Sequence, residues 1–591
     1  MSNLMLTNEL IYKSFMIGAK NVIQEKNGLN AINVFPVPDG DTGSNLASMM
    51  TTIIEKSRLG QTSEETMQSI ADAAIVGARG NSGIIFAQYI YGFSLGVKTE
   101  QITTDDFIQM VENASNHAYR AISKPVEGTM ITLMRQFAKT LDKLKNASKN
   151  FIELLSKAYE SLKEDLSKTP DLLPVLKENK VVDAGAKGFV HFIEGFLKAL
   201  KGEDVDLSHL AQEHVEEMHV EHLEASEFRY CTEALVRGSN FNPEQIKKDL
   251  IIFGNSLVVA GTQKTVRIHI HTDTPEHVFS YFDDGKSQII EQKVDDMKRQ
   301  YETANHKKYP IALVTDSIAD LPSELIEKYQ IHMVPLSLMI NEQNYFDKLT
   351  IRNERFYQIM DQSGTYPTSS QPNIKTLENL FSFLSTYYKE IIVLTVSQKM
   401  SGTYNVFVEA AKKFPDTRIQ IINSKQNSGA EGLLVLKAAE LIDQGLPFDK
   451  VVEGVEKTIP QSRILVSVKT LKYMIRSGRL KKAKKVVAQA LNLKPIISID
   501  EHGEGIIFDK GFNLRTADKK IIAHMKEIHQ QHGIEHYAIV HAKAMDRVEQ
   551  YEKALVEIIG KKPTYIMEIS TIVAMNAGIG SVAVAYIKGE K

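Results

Sequence analysis

Two aspartates in the run Asn33-Val-Phe-Pro-Val-Pro-Asp-Gly-Asp-Thr-Gly-Ser-Asn45 have the type and spacing to do chemistry. Pro36 and Pro38 exclude helix, so Asp39 and Asp41 sit on an extended loop, and a spacing of two turns both carboxylates to one side. Hard oxygen ligands on such a loop suit Mg²⁺, which keeps places open for phosphate oxygens. The plainer alternative is a turn leading into a capped helix that resumes near Ser44. Gly77-Ala-Arg-Gly-Asn-Ser-Gly83 brings backbone N–H groups to the start of another helix, as an anion nest requires, although close helix packing asks for the same small residues. Pro125-Val-Glu-Gly-Thr-Met130 and Val182-Asp-Ala-Gly-Ala-Lys-Gly188 each interrupt helical sequence with glycine. Further on, His269 and His271 stand two apart on a strand-like segment, and Cys231 lies on another. A Cys/His/His set with an open fourth position suits Zn²⁺, and a half-buried strand with an inert core thiol is the competing reading.

The elements that must position these residues follow from the patterning of the 591-residue chain. A hydrophobic fraction of 43% and a charged fraction of 24% exclude a disordered or collagen-like polymer. Seventy Lys+Arg against 73 Asp+Glu leave a formal charge of -3, so no bulk field draws nucleic acid or an anionic membrane. One cysteine excludes an intrachain disulfide framework. No basic-then-apolar leader and no apolar run of about 18 residues is present, so the expectation is a cytoplasmic protein without an integral membrane segment. Residues 1–202 read as an all-helical domain: Ile11, Phe15 and Ala19 lie four apart, and similar patterns recur at 64–78, 105–122, 130–145, 151–166 and 186–200. An acidic linker with His214, His219 and His222 spans 203–227 and reads as a solvated face. A small α/β module occupies 228–305, with helices expected at 243–251 and 287–303 and a polar stretch at 302–309. Strands alternating with helices from 309 to 591 predict a parallel sheet with crossover helices, completed by a second α/β portion near 495–591. The whole is a multidomain chain, all-α followed by α/β.

Taken together and in order, the four loops of the first domain resemble the nucleotide-binding domain of the dihydroxyacetone kinase family, in the version found in bacterial fatty acid kinases. The resemblance covers about residues 5 to 200. It implies a barrel of antiparallel helices that holds ATP at one rim, with Mg²⁺ on loop carboxylates. Asp39 and Asp41 become the catalytic metal ligands, and Asn33 stands where glycerone kinases carry a third aspartate. Asn45, Ser82, Gly83, Thr129, Met130 and Asp183 fall on nucleotide positions. The 228–305 module is similar to the middle domain of fatty acid kinases, and by that likeness Cys231, His269 and His271 bind zinc.

Residues 309–591 resemble the DegV family of fatty-acid-binding proteins through Thr315-Asp-Ser317, Thr368-Ser-Ser-Gln-Pro372, Ser397-Gln-Lys-Met-Ser-Gly-Thr403, Ser424 to Gly432, Arg476-Ser-Gly-Arg479 and Lys494-Pro-Ile496. Hydroxyls at strand ends beside glycine can grip a carboxylate while an apolar slot takes the acyl tail. By resemblance, Thr368 or Ser369 with Ser397 or Ser401 binds the head group, and Arg479 lies nearby. Asn576 replaces a histidine frequent in that family. The expected activity is that of a fatty acid kinase acting on the lipid held in its own DegV-like half, which stands in place of the usual kinase C-terminal domain. ATP and fatty acid give acyl phosphate and ADP, and acceptor enzymes of phospholipid synthesis take the product. Kinases of this type also imply a homodimer. Two other readings are a glycerone or polyol kinase and a non-enzymatic lipid sensor with a nucleotide switch. The first leaves the DegV-like half without a task, and the second leaves the carboxylate and glycine loops without one.

Overall fold

Ile11, Phe15, Ala19 and Val22 share one face of α1 (Asn8–Gln24), and all four are buried. The structure is a computed structural model that describes residues 5–35, 40–203, 226–362, 366–480 and 493–589. It divides into two compact units, Met1–Asn305 and His306–Lys591. In the first unit α1 is followed by α2 (Lys26–Asn30), α3 (Thr42–Lys56), α4 (Ser63–Gly77), α5 (Gly80–Ser94), α6 (Thr104–Ala121), α7 (Met130–Leu144), α8 (Phe151–Ser167), α9 (Thr169–Leu172), α10 (Pro174–Asn179) and α11 (Ala184–Leu200). From neighbour to neighbour the long helices run α1, α3, α4, α5, α6, α7, α8 and α11, and α11 packs back on α1. The core they share is aromatic, with Phe15 edge-on to Phe192 at 5.4 Å and Phe86 edge-on to Phe192 at 5.2 Å. Such pairs add about 0.5–1.5 kcal/mol each beyond their burial. The helix starts follow the sequence: Thr7, Thr62, Thr103 and Asn150 accept from first-turn N–H groups of α1, α4, α6 and α8.

Four antiparallel strands complete this unit: β1 (Tyr230–Arg237), β2 (Gly254–Gly261), β3 (Thr265–Thr272) and β4 (Gln288–Asp296), in the order β2-β3-β1-β4. The helix expected over 287–303 is a correction: its first half is β4, and only Met297–Asn305 is helical. Glu291, Lys293 and Asp295 alternate with period two beside β1, the spacing of a strand and not of a helix. The polar stretch from 302 is likewise helical through Asn305. One face of the sheet packs Leu235, Val258 and Ala260 into the helical core. A backbone bond from Ser123 N–H to the Leu257 carbonyl (3.1 Å) fixes that seam.

In the second unit β5 (Ile311–Asp316), β6 (His332–Val334), β10 (Glu390–Thr395) and β11 (Arg418–Asn423) form the expected parallel sheet, in the order β11-β10-β5-β6. β7 (Ser337–Ile340), β8 (Gln343–Phe346) and β9 (Thr368–Ser370) make a small antiparallel sheet. β12 (Ser462–Ser467), β13 (Lys494–Ile499), β14 (Gly505–Gly511), β15 (Ile534–His541), β16 (Tyr565–Glu568) and β17 (Val582–Lys588) form a six-stranded sheet in which only β15 and β16 run parallel. The second α/β portion is therefore mixed rather than parallel.

Candidate functional site

The predicted nucleotide residues gather where α3, α5, α7 and α11 begin. None of the N-cap residues of α3, α5 and α7, namely Asp41, Arg79 and Thr129, caps its helix with its own side chain. Side chains from elsewhere hold those starts instead: Asn30 accepts from Ser44 N–H at 3.0 Å, Glu233 accepts from Gly80 N–H at 2.8 Å, and Asp183 accepts from Met130 N–H. Gly80 has φ +56, and a side chain there would collide with the Asn45 amide, so glycine is required at this start. Added atoms at Gly185 would meet Met130, Ser82 and Asp183. Asn45, Ser82, Gly83, Met130 and Asp183 thus converge, and helix N-termini aimed at one place favour a polyanion. Asn33 joins them, since its side-chain oxygen accepts from the Thr42 hydroxyl beside Asp41. Thr129 turns its hydroxyl to the Val126 carbonyl at 2.8 Å. Asp39 and the histidines of the acidic linker lie outside the described residues. Burial raises the Asp183 carboxyl to about 6, against the pull of the Ala186 and Met130 N–H groups.

Register explains the second cluster. Cys231 stands opposite His271 and Glu233 opposite His269, so all four side chains share one face of the sheet. Nε2 of His269 lies 3.2 Å from Nε2 of His271, and Cys231 Sγ lies 3.8 Å from His269 Nδ1. The donor atoms of Cys231, His269 and His271 fit within 4.8 Å of one another, which is the span of one small cation's ligand shell. Burial, with help from His269, depresses His271 to about 3, so its imidazole is neutral and ready to ligate. Burial and the carboxylates of Glu233, Asp295 and Asp41 push the Cys231 thiol up. Asp41, from the helical domain, therefore acts on the thiol of the sheet. Glu233, Arg267 and Glu291 were missed in the sequence. Arg267 continues the alternation of His269 and His271, and Glu233 that of Cys231, so the period-two signal was there to find.

In the second unit a cavity of about 610 Å³ opens between the parallel and mixed sheets. Its volume falls in the roughly 300–1,000 Å³ range of small-molecule sites. Ile464, Val466, Ile497, Ile499, Val540 and Val573 supply apolar wall, while Ser369, Gln371, Ser401 and Arg479 add polar groups. A side chain at Gly402 would collide with Gln371, so the 368–372 and 397–403 pieces do meet. Of the predicted head-group residues, Ser369, Ser401 and Arg479 line the cavity, as does Asn576. Thr368 is exposed on β9 and does not line it. Ser397 is fully buried and gives its hydroxyl to the Gly503 carbonyl at 2.7 Å. Other motif residues brace the walls. Asp347 accepts from Ser317 (2.7 Å) and Thr571 (2.7 Å), and Asp320 accepts from Ser428 (2.6 Å) and Ser570 N–H (2.8 Å).

Family models match three consecutive stretches: a DAK2 domain at residues 36–198, the FakA-like middle domain of fatty acid kinase at 227–304, and an uncharacterised protein of the DegV family at 310–589. The class is therefore a chain that joins the domains of a fatty acid kinase to a DegV domain, and the kinase-type domains imply nucleotide use. An uncharacterised protein of Staphylococcus aureus strain bovine RF122 / ET3-1 and one of strain MRSA252 are each 30% identical over 487 residues, covering 76% of this chain and 87% of the relative. The chain belongs to their family. Three quarters of the chain is more than its first unit holds, so the likeness runs on into the DegV unit. Among solved structures, DegV, a fatty acid binding protein from Bacillus subtilis, is 26% identical with a TM-score of 0.45, covering 48% of this chain and 100% of that one. A fatty acid binding DegV family protein from Streptococcus agalactiae is 23% identical with a TM-score of 0.45, covering 48% and 99%. No described helix is long and apolar enough to cross a membrane.

Proposed function

We propose that the chain is a fatty acid kinase that carries its own acyl-chain site and transfers the γ-phosphate of ATP to the carboxylate of a fatty acid bound in the second unit. The observation that supports it most is the cavity: a largely apolar space edged by hydroxyls and an arginine, in the same chain as kinase-type domains. A carboxylate is anionic at neutral pH and needs no general base to attack phosphorus. Positioning and charge neutralisation carry the reaction, and the convergent starts of α3, α5, α7 and α11 offer both to a triphosphate. Asp41, with Asp39 of the same loop, would hold Mg²⁺, which neutralises charge on the transferring phosphoryl group. Cys231, His269 and His271 would hold Zn²⁺ in a three-donor site with a place left open. Ser401 and Ser369 hydroxyls and Arg479 orient the lipid carboxylate by charge-assisted hydrogen bonds. The product is an acyl phosphate for acceptor enzymes of phospholipid synthesis, and the assembly is a homodimer in the cytoplasm.

The test is the dependence of ADP release on acyl chains. Delipidated protein with ATP and Mg²⁺ should release ADP only when a long-chain fatty acid is added, and mass spectrometry of the protein as purified should find fatty acid. ADP release driven by dihydroxyacetone or glycerol instead would establish a polyol kinase. Sedimentation at the mass of one chain would remove the homodimer.

A further inference from the structure

Glu233 is a buried carboxylate with only 3% of its surface exposed, and it holds groups from two domains at once. The oxygen Oε1 accepts from Gly80 N–H at 2.8 Å and lies 3.3 Å from His269 Nδ1. The second oxygen has Arg267 at 3.5 Å and no closer partner. A carboxylate held in such a place costs free energy unless it is paired, and surroundings that pair it also fix it. On the helical side, Gly80 opens α5 in a left-handed conformation, pressed on its other flank by Asn45. Pinning that first amide fixes the direction of the next turn, which carries Ser82 and Gly83. The residue before it is held by the same sheet: Arg79 pairs with Glu291 at 3.0 Å, and Glu291 also takes Arg267 at 2.7 Å. On the sheet side, the bond from Glu233 commits His269 Nδ1 and leaves Nε2, the atom 3.2 Å from His271 Nε2, for a cation.

We propose that Glu233 is a positioning residue that couples the Cys231/His269/His271 cluster to the glycine loop at residues 77–83, so that filling the cluster with a divalent cation tightens the grip of that loop on nucleotide phosphates. The coupling rests on the kinase reading above for the identity of the nucleotide, and on hydrogen bonds alone for its path. One carboxylate oxygen is the shared element. When the imidazole is fixed by a cation, the oxygen loses freedom, and the Gly80 amide loses it too. By linkage, nucleotide must tighten cation binding by the same factor.

The experiment measures affinity for ADP, by calorimetry on the full chain, with zinc bound and after removal by a chelator. In the native chain, removal should weaken ADP binding by about tenfold, within the range expected of site-to-site coupling. In Glu233→Ala, ADP should bind about as weakly as to the stripped native chain, removal of zinc should make no further difference, and zinc affinity should fall about 10–100-fold, as for loss of an outer partner of a ligating histidine. Glu233→Gln keeps the shape and an acceptor oxygen, so it guards against misfolding and should show a smaller effect in both measurements. ADP affinity that ignores zinc in the native chain, or a folded Glu233→Ala that retains the full zinc effect, overturns the coupling while leaving the kinase reading intact. Failure of the folded native chain to bind ADP at all overturns both.

Discussion

The cluster of helix starts in the first unit and the cavity of the second are built by opposite means. In the first the polar groups are backbone amides and charges, set by helix starts at residues 42, 80, 130 and 184 and by one face of a small sheet. In the cavity the working surface is aliphatic, and the buried charges, Asp316, Asp320 and Asp347, stand behind the walls and brace them. The difference teaches where electrostatics is spent. A polyanion needs preorganised N–H dipoles and cations. An acyl chain needs dry area, worth about 0.8 kcal/mol per buried CH₂, and only a few polar contacts at one end.

Changes that spoil one site should therefore spare the other. Asp41→Asn carries the largest expected effect: fatty-acid-dependent ADP formation should fall by about 10²-fold or more, because an amide of the same size loses the charge that holds a hard cation. Lipid displacement assays on the same variant should match the native chain. Loss of both properties together would break the separation of the two sites. Val573→Phe, which places a ring in the cavity, should weaken lipid binding by about 10–100-fold and leave ADP affinity unchanged, since extra bulk in a filled site costs about 1–3 kcal/mol.

A third contrast concerns pH. Asp183 is held at about 6, above the ordinary 3.8, by burial. Between those values the folded chain keeps a proton that the unfolded chain has released, so this group's contribution to stability declines as pH rises from about 4 to about 6 and stays at its lower level above that. Asp183→Asn should accordingly gain on the native chain by about 1–3 kcal/mol between pH 4 and pH 7, read from denaturant melts. A difference independent of pH would show that the carboxyl is not strained by burial. The smallest contrast lies within the cavity's serines. Ser401→Ala should weaken fatty acid binding by less than about tenfold with little change in melting, while Ser397→Ala, which frees the Gly503 carbonyl, should cost about 1 kcal/mol of stability and little affinity.

Much of the rim was legible because each piece is local. The proline-rich loop, the glycine loop and the starts of α7 and α11 are short runs, and α4, α6, α7, α8 and α11 lie within two residues of their expected positions. What joins the pieces was not local. Glu233 reaches Gly80 across 153 positions, and only the register of β1 against β3 places it beside His269. β4 differs from the helix expected there, since Glu291, Lys293 and Asp295 alternate with the period of a strand and Glu291 meets Arg79 and Arg267. The cavity was legible only at its polar edge. Its apolar wall is assembled from β12, β13, β15 and β17, and no single stretch of sequence announces it. Ser317 and Ser428, which belong to the matching motif pieces, give their hydroxyls to buried aspartates.

Trapping with hydroxylamine tests the central claim most directly. Purified chain, ATP, Mg²⁺ and a long-chain fatty acid should yield acyl hydroxamate in step with ADP, and Asp41→Asn and Val573→Phe should each suppress both. ADP without hydroxamate, or hydroxamate that persists in Asp41→Asn, would contradict the transfer of phosphate to a fatty acid carboxylate at this rim.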